Sequence, residues 1–345
     1  MARPETGYNI GVVGATGLVG SEFLNILETR QQPEMPIGSL RLFASERSAG
    51  ETIIFRGKKH VVEKASPDPD LFRGLDFVLT AIGDDVAKIY SPVIVEAGAL
   101  NVDKSNAWRM NPNVPLVVPE VNPNDAKDHK GIIAGPNCST TQMVVVLWPI
   151  HQENPIKRII VDTYQAVSGT GRKAVEELQK QLEAFVEGKP LPRSVYPYEI
   201  FGNAIPEIGS LGDNGRYSEE LKIADETRKI MHMPDLPINA TCVRIPVFNG
   251  HSEAVHIELT YEMFPSEATA ILLKSPGVKI LDDPGDSIYP TALDVSGKDD
   301  VFVGRIRWGD LSQKKNLSMW IVGDNLRKGA ALNAIQVFEL VARNN

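Results

Sequence analysis

The chain has 345 residues, of which 42% are hydrophobic and 23% are charged, a composition typical of a globular protein with two domains. A formal net charge of −8 disfavours nucleic-acid binding, which requires a basic face. No stretch approaches the roughly 18 uninterrupted apolar residues of a membrane-spanning helix, so the sequence predicts no such span.

The two cysteines, Cys138 and Cys242, lie far apart in the sequence, which indicates a reducing compartment rather than a disulfide framework. The first residues lead directly into an apolar strand, without the hydrophobic region of a signal peptide. The sequence contains neither an H-E-x-x-H motif nor a paired-cysteine cluster, so we expect no metal site. These features together predict a cytoplasmic protein.

Near the N-terminus, the apolar strand 8–13 runs into a glycine-rich turn that a helical pattern follows. Glycines let the backbone approach a pyrophosphate, and the helix N-terminus supplies N–H donors to it. The spacing is Gly11-x-x-Gly14-x-x-Gly17 rather than the commoner G-x-G-x-x-G. We predict a dinucleotide site here, the alternative being a tight turn without a ligand.

The end of the second predicted strand indicates which nicotinamide cofactor binds. An NAD site usually places an acidic residue there, for the ribose 2′-hydroxyl. Here residues 40–44 are followed by Ser45, Glu46, Arg47 and Ser48. Two hydroxyls and a guanidinium suit a 2′-phosphate, whereas Glu46 argues the other way if it points inward. NADP is therefore favoured.

Cys138 lies where a buried strand turns into a helix. Apolar segments continue the alternation of strands and helices up to the strand 132–134, which predicts a doubly wound sheet with Cys138 at its carboxyl edge. The helix that follows has Ser139 or Thr140 as its predicted cap. A helix N-terminus favours a thiolate, so Cys138 is a candidate nucleophile, and a small core residue is the alternative.

From residue 156 the pattern changes to longer β-branched strands. The strand 158–167 contains Gln165 near its end, where it could hold a substrate, although a strand glutamine is more often solvated. An amphipathic helix is predicted from Arg172 to about Val186. In a later helix Glu219 and Lys222 share a face, and a surface ion pair is their default interpretation.

The segment 240–260 contains two alternating strands separated by Asn249-Gly250, which favours a two-residue hairpin. That register would set the apolar face of one strand against the polar face of the other, so we expect an odd-length loop or a bulge. His251 would then lie in irregular backbone, available for chemistry.

Cys242 lies within a strand, without a helix N-terminus, and ranks below Cys138 as a nucleophile. A capped helix is predicted for residues 324–338.

Several motifs, in the same order and spacing, make the chain resemble the aspartate-β-semialdehyde dehydrogenases. The resemblance covers nearly the whole chain. Its motifs are GVVGATGLVG (11–20), ASERSAG (44–50), NPNVPLVVPEVN (111–122), GIIAGPNCSTTQM (131–143), TYQAVSGTG (163–171), CVRIPVFNGHSE (242–253), VGRIR (303–307) and DNLRKGAALN (324–333).

The resemblance implies an α/β protein with an N-terminal Rossmann-type doubly wound sheet and an α+β catalytic and dimerisation domain. The NADP-binding domain would span residues 1–137, completed by a C-terminal helix at 325–345, and the catalytic domain residues 138–324. A homodimer or a dimer of dimers is implied, with much of the second sheet serving the subunit contact.

The resemblance also implies roles for individual residues. Cys138 would be the nucleophile, His251 the acid/base and Gln165 an orienting residue. The implied substrate contacts are Arg109, Asn137, Gln165, Glu219, Lys222 and Arg244, and the implied cofactor contacts are Gly14, Thr16, Gly17, Leu18, Val19, Ser45, Arg47, Ser48, Ser168, Gly169 and Asn325.

The implied reaction is the reduction of L-4-aspartyl phosphate to L-aspartate 4-semialdehyde with NADPH, through a thioester on Cys138. One alternative is a related enzyme acting on N-acetylglutamyl phosphate. Glu219, which offers a carboxylate to a free ammonium, favours the aspartyl substrate. A catalytically silent NADP-binding protein is the other alternative, and the presence of Cys138, Gln165, Arg244 and His251 argues against it.

Overall fold

The structure is a computed structural model that describes residues 7–30 and 36–343. The chain forms two compact units, one of residues up to Asn137 together with those from Ala330 onward, the other from Cys138 to Gly329. The predicted domain limits at residues 1 and 345 lie outside the described residues. No helix in the described ranges is both long and apolar enough to cross a membrane.

The first unit contains a six-stranded parallel sheet with helices in its connections. Its strand order is β5-β2-β1-β6-β7-β8, so the order reverses between β1 and β6. This is the doubly wound arrangement that the sequence predicts. Its elements are β1 (Tyr8–Val13), α1 (Leu18–Thr29), β2 (Ile37–Ala44), β3 (Thr52–Phe55), β4 (Lys58–Val61), β5 (Glu63–Lys64), α2 (Pro69–Phe72), β6 (Phe77–Thr80), α3 (Asp84–Glu96), β7 (Leu100–Asp103) and β8 (Ile132–Ala134), with a separate hairpin of β3 and β4 and a 3₁₀ helix at Pro123–Asp128.

A helix from the far end of the sequence completes the core of this unit. The segment predicted as one capped helix begins with a π-helical turn, Arg327–Ala331, and only then becomes the α-helix Leu332–Arg343. Phe338 of that helix packs on Phe77 of β6 with ring centroids 4.9 Å apart. Asp324 caps the start of the segment, since its Oδ1 accepts from the N–H groups of Leu326 and Arg327.

The second unit contains a six-stranded mixed sheet, ordered β10-β9-β11-β14-β13-β12. Helices α4 and α6 cover one face of it, where alternate residues of β9 and β11 are buried. The elements are α4 (Cys138–Glu153), β9 (Ile156–Gln165), α5 (Arg172–Val186), α6 (Ser218–Ile230), β10 (Ile238–Arg244), β11 (His251–Leu259), α7 (Pro265–Leu272), β12 (Val278–Ile280), α8 (Ala292–Val295), β13 (Val301–Asp310) and β14 (Gln313–Gly323), and the helix of the C-terminal segment is α9 (Leu332–Arg343).

The expected hairpin at Asn249-Gly250 is wrong. Strands β10 and β11 do not pair with each other; β10 lies parallel to β9 on one side and β11 antiparallel to it on the other. Because β9 lies between β10 and β11, the register conflict expected for direct pairing of these two strands does not arise. The local turn signal could not reveal this arrangement. His251 is accordingly the first residue of β11, paired with Gly323 of β14, rather than part of an irregular loop.

Candidate functional site

The turn after β1 can only be built with glycine. Gly14 has a φ of +89°, and a Cβ added there would lie 2.4 Å from the Ala81 carbonyl oxygen. A Cβ at Gly20 would lie 2.3 Å from the Gly14 carbonyl oxygen. Helix α1 begins at Leu18, directly after Gly17. The turn therefore places the N-terminus of α1 at the carboxyl edge of the sheet. This is the geometry that binds a pyrophosphate.

A cavity of about 290 Å³ opens beside this turn, within the first unit. Its walls include Gly14, Thr16, Ser45 and Tyr90, so it lies at the point where the strand order reverses. Apolar walls with a few hydroxyls suit the adenosine half of a dinucleotide.

The residues beyond β2 present groups that suit a 2′-phosphate. The Ser48 N–H donates to the Ser45 carbonyl oxygen, which forms a turn, and Arg47 is exposed on it. Glu46 is exposed and pairs at 2.6 Å with Lys64 of β5, so its carboxylate is bound to a cation on the surface. The objection that Glu46 raises against NADP is thereby weakened.

Arg109 and Asn137 are both buried at the carboxyl edge of the first sheet. The Arg109 guanidinium donates to the carbonyl oxygens of Gly135 and Lys104, at 3.0 and 2.8 Å. A further residue at this edge, not found from the sequence, is Lys104, whose Nζ donates to the Pro136 carbonyl oxygen at 2.8 Å. A lysine directly after β7, at the edge where such sheets bind ligands, was the available signal.

Cys138 is the first residue of α4, so the helix starts earlier than the predicted caps, Ser139 and Thr140. Both predicted caps are buried inside its first turn. Gly329 lies against the thiol-bearing residue, because a Cβ there would be 2.8 Å from the Cys138 Cβ. The position in the first turn gives the sulfur the favourable end of the helix dipole.

Cys242 is a poor nucleophile by comparison. It is fully buried in β10, and burial raises the pKa of its thiol far above the ordinary value. Cys138 is only partly buried. The order in which the sequence ranks the two thiols therefore agrees with their surroundings.

Three predicted site residues form a row across the second sheet. Arg244 ends β10 directly opposite Gln165, which ends β9, and His251 starts β11 on the other side of β9. All three are buried on the face that α4 and α6 cover. Residues distant in the sequence are thus brought together by strand pairing alone.

Glu219 joins this row and also pairs with Lys222. It is buried in the first turn of α6, and its Oε1 accepts from Gln165 Nε2 at 3.1 Å. Its Oε2 lies 3.4 Å from Lys222 Nζ, one turn further along the helix. The predicted ion pair is therefore present, but it is not confined to the surface, because Glu219 is buried and also contacts Gln165. Gln165 itself is buried, not solvated.

The surroundings of His251 fix the tautomer of its ring. The Ala166 N–H donates to Nδ1 at 3.0 Å, so the proton of the neutral ring resides on Nε2. Burial, followed by the nearby Arg244, lowers the pKa of His251 well below its ordinary value. No residue in the described ranges hydrogen-bonds to Nε2. Gly169 places no side chain against this buried atom, since a Cβ there would lie 3.1 Å from it.

Arg244 and His251 both hydrogen-bond to the backbone of Ala166, the residue directly after β9. Its Nη1 donates to the Ala166 carbonyl oxygen at 2.7 Å, and a Cβ at Gly169 would lie 2.9 Å from that nitrogen. Its Nε has no hydrogen-bond partner within the described part of the chain. One edge of a planar guanidinium is thus held, while other N–H groups remain for a planar anion.

Two predicted cofactor contacts of the second unit also meet. Ser168 and Asn325 hydrogen-bond through their side chains at 2.9 Å, and Asn325 Oδ1 accepts from the Gly250 N–H at 2.9 Å. These bonds tie the loop after β9 to the residue before His251. Asn325 therefore supports the same loop that carries Gly169.

Two further buried polar residues, Gln142 and Glu253, were not found from the sequence. Gln142 lies in α4 and Glu253 in β11, two residues after His251. Burial raises the pKa of Glu253 well above its ordinary value, although the Gln142 amide partly opposes this, so burial favours the neutral carboxyl. The available signal was the alternation of the strand. Glu253 lies on the same face of β11 as Val255 and Ile257, whose side chains are buried.

The raised pKa of Glu253 predicts how stability depends on pH. The unfolded chain releases this proton near pH 4.5, whereas the folded chain keeps it to higher pH, so the free energy of unfolding falls as the pH rises. Relative to Glu253→Gln, the wild type should lose up to about 1.4 kcal/mol per pH unit between the unfolded-state pKa and the raised folded-state pKa of Glu253. Urea unfolding of both proteins at about pH 5 and about pH 8 measures this difference. Parallel pH dependences would contradict a neutral Glu253.

Residues 7–30 and 36–343 contain no cluster of three or more side chains suited to a metal ion.

Comparisons with known proteins identify the family. Residues 9–129 match the family described as semialdehyde dehydrogenase, NAD binding domain, and residues 147–328 match semialdehyde dehydrogenase, dimerisation domain. The chain is 49% identical over 340 residues to aspartate-semialdehyde dehydrogenase of Aquifex aeolicus, covering 98% of each chain.

Solved structures agree. Aspartate semialdehyde dehydrogenase II of Vibrio cholerae, complexed with ASA, is similar with a TM-score of 0.93 and 39% identity, over 98% of this chain and 99% of that one. The Candida albicans enzyme with NADP has a TM-score of 0.75 and 26% identity, over 98% and 99% of the two chains. On these grounds, and on the site described above, the chain belongs to the aspartate-semialdehyde dehydrogenase family.

Proposed function

We propose that this chain catalyses the NADPH-dependent reductive dephosphorylation of L-4-aspartyl phosphate to L-aspartate 4-semialdehyde. This step serves the biosynthesis of lysine, threonine, methionine and diaminopimelate. The observation that carries the proposal is the buried row of Arg244, Gln165 and His251, joined to Glu219. It offers separate partners for the carboxylate, the ammonium and the reacting carbonyl of an amino-acid substrate.

Binding of the amino-acid end follows from charge. Arg244 can hold the substrate carboxylate through two parallel N–H groups. Glu219, fixed by Gln165, offers a buried carboxylate to the substrate ammonium, whereas an N-acylated substrate would leave that charge unpaired. Lys222 and Arg109 are the proposed cations for phosphate, and Asn137 is a further proposed substrate contact.

Cys138 is the proposed nucleophile. Its thiolate attacks the acyl carbon and forms a C–S bond. The C–O bond to phosphate breaks, phosphate leaves with the electron pair of that bond, and a thioester remains. When bound, NADPH supplies the hydride that reduces this thioester. His251 then donates its Nε2 proton to the resulting thiohemiacetal oxygen, and it takes the proton back as the aldehyde leaves and the thiolate is regenerated.

The residues of the first unit fit a dinucleotide. The close approach at Gly14 and Gly20 leaves backbone without side chains at the N-terminus of α1, and the cavity beside it has apolar walls. Within this unit the proposed cofactor contacts are Gly14, Thr16, Gly17, Leu18, Val19, Ser45, Arg47 and Ser48. Those of the second unit are Ser168, Gly169 and Asn325.

We propose a homodimer, with a dimer of dimers as a further possibility for the assembly, in the cytoplasm. The face of the second sheet opposite α4 and α6 supports a subunit contact. It bears Tyr164 and Trp320, whose ring centroids are 5.4 Å apart, and cavities of about 420 and 310 Å³. Sedimentation of the purified protein distinguishes the two assemblies.

Substituting Arg244 tests the carboxylate contact. Arg244→Lys keeps the charge but loses the planar fork, so KM for the semialdehyde should rise by about 10- to 100-fold, corresponding to the loss of a charged hydrogen bond. KM for NADP⁺ should stay unchanged, and steady-state kinetics with each substrate varied in turn separates the two. Unchanged kinetics for the semialdehyde would remove this role from Arg244.

The deciding assay is the phosphate-dependent reduction of NADP⁺ by L-aspartate-β-semialdehyde, with NAD⁺ and N-acetylglutamate semialdehyde as comparisons. Turnover that requires phosphate and prefers NADP⁺ would support the reaction, the substrate and the cofactor together. Turnover with the acylated semialdehyde alone would keep the thiol chemistry and overturn the substrate. Inactivity with both would contradict the proposed function.

A further inference from the structure

Gln142 links the helix of the proposed nucleophile to the strand of the proposed acid/base. It lies four residues after Cys138 in α4, hence on the same side of the helix one turn away. Its side chain is buried, and its Nε2 donates to the backbone carbonyl oxygen of His251 at 3.2 Å. A single amide therefore spans from the first turns of α4 to the first residue of β11.

Glu253 complements this amide. It lies fully buried on the same face of β11 as His251, beside Gln142. Within the described ranges no residue hydrogen-bonds to its carboxyl oxygens or to Gln142 Oε1. A neutral carboxyl carries an O–H donor and an amide oxygen is an acceptor, so the two neighbouring groups are chemically complementary.

Strand β14 is shaped to admit the amide. Gly323 pairs with His251, and a Cβ added there would lie 2.7 Å from Gln142 Oε1 and 3.2 Å from Gln142 Cβ. Any other residue at this position would push the amide away from the His251 carbonyl. Burying a polar group without a hydrogen bond lowers the free energy of unfolding. An amide and a carboxyl buried between α4 and β11 therefore indicate a function that offsets this loss of stability.

We propose that Gln142 and Glu253 are positioning residues, with Glu253 fixing the Gln142 amide and the amide fixing His251 relative to the first turn of α4. The inference rests on the proposed roles of Cys138 and His251. Proton transfer and nucleophilic attack depend on alignment, and a displacement of about 1 Å from a remote change can cost about 100-fold in rate.

The principal test compares variants of Gln142 and Glu253 in the semialdehyde assay. Gln142→Met has a similar length without hydrogen-bonding groups, so kcat should fall by about 10- to 100-fold. KM should stay unchanged for both substrates, since neither residue contacts them. Glu253→Met should reproduce this result, whereas Glu253→Gln keeps an N–H donor toward Gln142 and should restore kcat.

Gln181→Met is the matched control. Gln181 is a buried helical glutamine in α5 that donates to the Pro192 carbonyl oxygen at 2.7 Å and accepts from the Phe201 N–H at 2.8 Å. This variant should lose thermal stability with kcat unchanged. A Gln142→Met protein that behaves in the same way would overturn the positioning role.

Gly323→Ala keeps the proposal testable if Gln142→Met does not fold. It crowds the amide without deleting it, and it should lower kcat with KM unchanged. A normal kcat in Gly323→Ala would overturn the proposal. Wild-type activity separates the two hypotheses: an inactive wild type overturns the proposed function and this inference together, whereas an active wild type beside an unaffected Gln142→Met overturns the inference alone.

Discussion

Cys138→Ala should lower kcat by about 10⁴- to 10⁶-fold, the range expected when a covalent nucleophile is removed. The substitution deletes one sulfur from a partly buried position in the first turn of α4, so folding should be preserved. Thermal unfolding and NADP⁺ binding check that the variant is intact. Steady-state turnover of the semialdehyde then measures the loss.

The second cysteine provides the control for this experiment. In the native wild type iodoacetamide should label Cys138 alone, because Cys242 is buried and burial raises the pKa of its thiol. Cys138→Ala should then take no label until it is unfolded, as peptide mass spectrometry shows. Retained turnover in Cys138→Ala, or native labelling at Cys242, would contradict the assignment of the nucleophile.

His251→Ala should lower kcat by about 10²- to 10⁴-fold, the contribution expected of a general acid. His251→Asn separates this role from a structural one. An Asn side chain can still accept from the Ala166 N–H, as Nδ1 does, but it carries no proton at the position of Nε2. The two variants should therefore be about equally impaired in kcat, as single-turnover kinetics will measure.

A rescue of activity by His251→Asn would show that His251 only holds the Ala166 loop. Thermal stability gives the complementary readout, since Asn should recover part of the stability that Ala loses. The pair of variants thus distinguishes proton transfer from support of the loop.

Local patterns sufficed for the first unit. Strand β1, the turn at Gly14 and helix α1 are contiguous in the sequence, and each was predicted because its periodicity and turn residues are local. The right-handed connections of such folds then restrict the possible orders of the parallel strands. Cys138 at the end of this pattern was found for the same reason.

The second unit depends on pairing between distant strands, which local patterns do not specify. Asn249-Gly250 reads as a hairpin, yet β9 separates β10 from β11. Glu219 reads as a surface residue until α6 packs it against Gln165. Gln142 and Glu253 lie inside two of the quoted motifs, yet nothing in the local pattern singles them out, so the contact between them appears only when α4 covers β11. Assignment of roles to Arg244 and Glu219 from the sequence therefore relied on family resemblance.

The discontinuity of the first unit has a consequence for how the protein is made. Its core includes Phe338 of α9, packed on Phe77 and Phe23, so this core is incomplete on the ribosome until residues 332–343 have emerged. The second unit is one continuous segment and can finish earlier. A released chain that ends at residue 329 should thus protect the second sheet from protease while the nucleotide-binding sheet is cleaved, so the unit that is synthesised first is completed last.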